Sequence, residues 1–275
     1  MQDLTVATAK EAGEKQEYLA ALTELLFQMA DDDFILAYRG SEWLGLAPHI
    51  EEDVAFSSIS QDTMGHAVMF YEMLEELGAG RADDLAQLRK PEEFKNAVFV
   101  ERPNGSGNYK EDPHYDWAYA IARFYAYELF KLVRLESLAR SSYQPLAFAS
   151  KKMLAELRYH LYHWQVWFNQ LVNSTEEASM RMTKAMEKVW QDAAGLFDLG
   201  PKAKEIVELG LIEDEEVLLQ RWLEKARQAF ETKVISLGKP QKSEVNGRAG
   251  EHTADLVEAV ATLSEVYRLN PAANW

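Results

Sequence analysis

The chain has 275 residues, 47% of them hydrophobic, and no cysteine. That is enough apolar material for one large core or two modest ones, and it excludes disulfide frameworks, zinc ribbons, iron–sulfur clusters and thiol nucleophiles. Forty-five acidic residues against 29 basic ones leave a formal charge of −16, which repels phosphate backbones and argues against a nucleic-acid partner.

The N-terminal MQDLTVATAKEAGEKQEYLA lacks a basic segment followed by an apolar run. No stretch approaches the ~20 apolar residues that cross a bilayer, so the expectation is a cytoplasmic protein with no membrane partner. Apolar residues recur every three or four positions along most of the chain, which predicts helices. The first spans 11–44, with Tyr18, Leu22, Leu25, Leu26 and Met29 on its buried side, and ends at the turn Gly45 to Pro48. A second starts near Glu51 and Glu52, acids suited to the positive end of a helix dipole, and stops by Gly78.

A charged, short-segmented stretch follows from Arg81 to Phe94. ERPNGSGNYKEDP, residues 101–113, then reads as a loop whose glycines precede no strand-to-helix phosphate cradle. A third helix covers 114–141 and a fourth 145–173, with Ser174 as the expected cap of a fifth over 176–197. A shorter helix, one from 214 to about 237 and one from 253 to 267 complete the set. Between the last two, GKPQKSEVNGRAGEH reads as a connector, and the acidic runs Asp31 to Asp33 and Glu213 to Glu216 read as solvated helix ends. No segment alternates as a strand does, and no repeat of 20–50 residues is present. The fold class is therefore all-α with one bundle core.

A di-iron carboxylate bundle takes a Glu from each of two helices and Glu-x-x-His from each of two others, because residues three apart share a helix face. Most of that order is present: Glu42 in SEWLG, His66 in DTMGH, Glu128 in FYAYELF and Glu156 in LAELRYH. Glu128 sits among Phe124, Tyr125, Tyr127 and Phe130, where a carboxylate is costly unless a partner or metal neutralises it. Two positions break the pattern. Thr63 stands three before His66 where the Glu belongs, and Tyr159 stands three after Glu156 where the His belongs.

Two readings of these residues stay open. One is a buried hydrogen-bond network of Glu42, His66, Glu128, Glu156 and Tyr159 with Arg123 or Arg158. The other is a single metal ion held by Glu42, His66 and Glu156. A second spacing, Asp62 with His66 and Glu156 with His160, places acid and imidazole four apart. His160, Tyr162, His163, Trp164, Trp167 and Phe168 read as an interhelical or intersubunit packing surface. No nucleophile elbow or Ser-His-Asp order is recognisable.

SEWLGLAP, QDTMGHA, PNGSGNY before DWAYAIARFYAYE, AELRYHLYHW, GRAGEHT and NPAANW follow one another over almost the whole chain. The ordered set resembles the C subunits of bacterial phenylacetyl-CoA epoxidases, multicomponent oxygenases of the phenylacetate pathway. The resemblance implies a ferritin-like helical bundle with additional C-terminal helices. It implies one domain over 1–275, with a core bundle at about 11–200 and an extension at about 201–275.

It also implies a non-catalytic structural subunit that holds no cofactor of its own. Such a subunit supports a catalytic A subunit that carries the di-iron centre, in a hetero-oligomer served by a reductase component; in isolation a homodimer is an alternative. Matched to A-type motifs, the ligand positions fall on Glu42, His66, Glu128 and Glu156, the replaced ligands on Thr63 and Tyr159, and a carboxylate orienting a ligand on Asp62. Two further functions fit the residues: an autonomous metal-dependent oxidase or oxygenase using one residual metal ion, and a ferritin-like interaction protein outside this pathway.

Overall fold

The computed structural model describes residues 5–232 and 235–273. Asn274 and Trp275, the end of the NPAANW motif, lie outside them. The chain divides into two compact units that interleave in sequence. Of the described residues, an N-terminal unit comprises Val6–Pro103, Leu199–Ile206 and 244–273, and a middle unit comprises Thr5, Asn104–Asp198 and Val207–Ser243. The residues expected as a C-terminal extension are thus shared between the two.

The N-terminal unit is built on a hairpin of two long helices, α1 (Gln16–Ser41) and α2 (Ile50–Glu76). Tyr18, Leu22, Leu25, Leu26 and Met29 are buried, as their spacing requires. Helix α1 ends at Ser41, three residues before the expected boundary, because the next residues tighten into turns: Leu44 N donates to Ser41 O and Leu46 N to Trp43 O. Glu51, Glu52 and Asp53 occupy the first turn of α2, and Asp53 Oδ1 reaches back to accept from Gly45 N at 2.5 Å.

The run Asp31 to Asp33 is not a solvated helix end. All three residues are fully buried in the middle of α1. Three unpaired carboxylates there would be prohibitive, so partners must come from elsewhere in the unit. Asp31 accepts from Tyr71 Oη at 2.6 Å and Lys95 N at 2.7 Å, and it is ion-paired with Arg89. Burial, reinforced by Asp31, pushes the Tyr71 phenol well above its ordinary pKa, so it remains a donor. Asp32 takes a two-pronged contact from Arg248, Nη1 and Nη2 each at 2.9 Å, and a third hydrogen bond from Ala97 N at 2.8 Å.

The segment read as a plain connector therefore has a structural task. Within GRAGEHT, Arg248 meets Asp32, and Thr253 donates through its N and Oγ1 to Glu101 Oε2 at 3.0 and 2.8 Å. His252 Nδ1 lies 2.7 Å from Glu101 Oε1 and its Nε2 lies 3.0 Å from Phe94 O. The chain then continues into α7 (Ala254–Leu263).

In the middle unit, GSGN and EDPHY pair as an antiparallel hairpin, β1 (Gly105–Asn108) and β2 (Glu111–Tyr115), where a loop was expected. Strands of four and five residues, the first with two glycines and the second with a proline, carry no apolar alternation, so only their backbone pairing identifies them. Helices α3 (Trp117–Leu138) and α4 (Gln144–Asn173) follow, then α5 (Glu176–Trp190) and, beyond a short helix of the other unit, α6 (Glu215–Phe230).

Asp116 caps α3 by accepting from Tyr119 N, Thr175 rather than Ser174 caps α5 by accepting from Ala178 N, and Asp214 caps α6. After Trp190 the chain tightens into a 3₁₀ segment, Ala193–Phe197, so α5 stops seven residues short of the expected boundary. Trp222 anchors this core: it stacks on Trp190 with ring centroids 4.9 Å apart and donates from Nε1 to Ala126 O at 3.2 Å.

Candidate functional site: two helix pairs at the ligand positions

Each unit carries half of the sequence-derived ligand set. In the N-terminal unit, α2 buries Phe56, Ile59, Thr63, His66, Phe70 and Met73, a three-and-four alternation that puts Thr63 and His66 on the inner side. Asp62 falls outside that stripe and is exposed. The Thr63 hydroxyl donates to Ile59 O at 2.8 Å, its own helix backbone one turn back.

Glu42, at the C-terminal cap of α1, is buried against Arg39, whose Nη1 donates to Glu42 Oε1 at 3.0 Å. The same guanidinium donates from Nε and Nη2 to Glu101 O. Glu42 is thereby a neutralised carboxylate, held by a cation three residues away.

In the middle unit, Glu128 is fully buried on α3, and His160 of α4 brings Nδ1 to 3.4 Å from its Oε1. Among the described residues neither Glu128 oxygen receives a hydrogen bond of good geometry. Helix α4 buries Met153, Leu157, His160, Trp164 and Trp167, so the inward position following Glu156 is His160. Tyr159 and Arg158 lie on the exposed side, and Glu156 is half-buried.

The stripe that selects His160 over Tyr159 is present in the sequence. A Glu-x-x-His template points to Tyr159 through its spacing of three, whereas this helix uses four. One turn on, burial first and then the neighbouring His160 lower the pKa of His163 from 6.5 to about 4, so His163 is neutral near pH 7.

This donor set does not fit a di-iron centre. Thr63 is engaged with backbone, Glu42 with Arg39, and Tyr159 projects outward. Among the described residues no three His, Asp or Glu side chains gather closely enough to hold a metal ion. A protein cation satisfies Glu42 and a helix carbonyl satisfies Thr63, while Glu128 has only the 3.4 Å approach of His160.

The structure thus defines an all-α protein of ferritin-like class. The family model described as phenylacetic acid catabolic protein matches residues 1–275, and the chain belongs to that family. The chain is also 30% identical over 255 residues to the C subunit of the 1,2-phenylacetyl-CoA epoxidase of Escherichia coli (strain K12). That alignment covers 92% of this chain and 99% of the relative. No helix among the described residues is long and apolar enough to cross a membrane.

Proposed function

We propose that this chain is the structural, non-catalytic C subunit of a multicomponent phenylacetyl-CoA 1,2-epoxidase of aerobic phenylacetate degradation, working in the cytoplasm. It pairs with a catalytic A subunit that holds the di-iron centre, and a reductase component supplies electrons. The observation that carries this reading is the alignment to the C subunit of an epoxidase along nearly the full length of both chains. The disposition of Glu42, Thr63 and Tyr159 supports it, since each lacks the free inward donor that a working first ligand shell needs.

In the assembled complex, Glu42→Gln and His66→Gln are expected to leave phenylacetyl-CoA turnover within about twofold of wild type, because neither residue touches the reacting atoms. Iron analysis of the separated subunits should find the metal with the A subunit. Turnover of phenylacetyl-CoA by this chain alone would overturn the proposal. So would a tenfold or greater loss in either variant with the complex intact.

A further inference from the structure

Helix α4 has a second face that the fold does not use. Its inner side is occupied by Met153, Leu157, His160, Trp164 and Trp167. On the outer side Phe148, Tyr159, Tyr162 and Val166 are 77%, 79%, 68% and 43% exposed. Offsets of 11, 14 and 18 residues from Phe148 return to nearly the same helical angle, so the four form one stripe about 27 Å long. Lys152 and Ala155 fill the gap between Phe148 and Tyr159, and Lys151 and Arg158 flank it; all four are exposed. Scattered surface apolar groups are ordinary, but an aligned row of aromatic rings on one helix is the composition of an interface core.

Charge selects the occupant. The chain carries −16, yet α4 has three basic residues against the single carboxylate of Glu156, which is half-buried. The stripe is thus a basic-rimmed apolar band on an acidic protein. A second copy does not answer it. Two such helices crossing antiparallel about the stripe's centre, near residue 157, would set Arg158 against Arg158, and α4 itself has no fully exposed carboxylate to compensate. A complementary surface is an apolar helix face edged with Asp and Glu on a different chain.

We infer that the outer face of α4 is the docking surface for such an acidic-rimmed helical partner. Resting on the function proposed above, this partner is the di-iron A subunit.

The test co-expresses the tagged full chain with the A-type subunit of the same organism and measures affinity for wild type, Tyr159→Ser, Lys152→Glu/Arg158→Glu, and the control Val54→Ser at an exposed position of α2. Circular dichroism confirms that each variant is folded. The inference predicts that each α4 variant weakens binding about 30-fold or more, with the control unchanged. Wild-type binding that the α4 variants leave intact would overturn the docking surface and spare the proposed function. No binding of the A-type subunit by wild type would overturn both. A wild-type homodimer in light scattering that the α4 variants dissociate would assign the face to a second copy, again against the inference.

Discussion

Arg248 illustrates how a single residue becomes necessary. It is buried with both terminal nitrogens on Asp32, and Nη1 also donates to Lys95 O at 2.7 Å. Removing one member of a buried ion pair leaves an uncompensated charge, so Arg248→Ala is expected to lose about 3–5 kcal/mol in urea unfolding. Arg181→Ala, which removes a pair with Glu177 on the surface, should cost under about 1 kcal/mol in the same assay.

His163 makes a pH-dependent contribution. Its pKa falls from 6.5 to about 4 on folding, so between those values the unfolded chain binds more protons than the folded one. Stability should therefore decline as pH drops from 6.5 toward 4, and His163→Gln should flatten that part of the melting-temperature profile. A variant profile as steep as wild type would show that other groups govern the acid limb.

The long helices follow from periodicity, and their ends follow from local chemistry. The apolar spacing of α1 to α4 is legible, whereas Ser41 and Trp190 end their helices through turn and 3₁₀ hydrogen bonds that periodicity does not encode. GRAGEHT shows how much an irregular element can contribute. A Cβ at Gly247 would lie 2.0 Å from Asn96 O, and Gly250 combines φ +85° with a Cβ position 2.6 Å from Glu92 O.

Gly247→Ala is accordingly expected to force the segment outward and destabilise the protein by about 1–3 kcal/mol in chemical denaturation. Trp222→Ala, which empties the centre of the middle unit's aromatic core, should cost about 3–5 kcal/mol. Near-neutral values at both positions would mean that these elements pack more loosely than their contacts imply.

Across the whole molecule, net charge and buried pairs respond differently to salt. A formal charge of −16 opposes compaction through surface repulsion, which ions screen, while Asp32 with Arg248 lies out of their reach. Raising sodium chloride from about 0.02 M to about 0.3 M should raise the melting temperature in a thermal shift assay. A fall would indicate that exposed ion pairs outweigh the repulsion.

The sequence by itself determined the all-α class, the apolar faces of the long helices and the family, because periodicity and motif order are one-dimensional properties. It also showed Thr63 and Tyr159 at odds with a complete ligand set. Tertiary structure alone decided where the polar groups went. Asp32 meets Arg248 across 216 residues of chain, and Glu101 meets Thr253 across 152. The charge run at Asp31 to Asp33 looked solvated because its partners are distant in sequence, and a carboxylate's free energy depends on the groups around it in space.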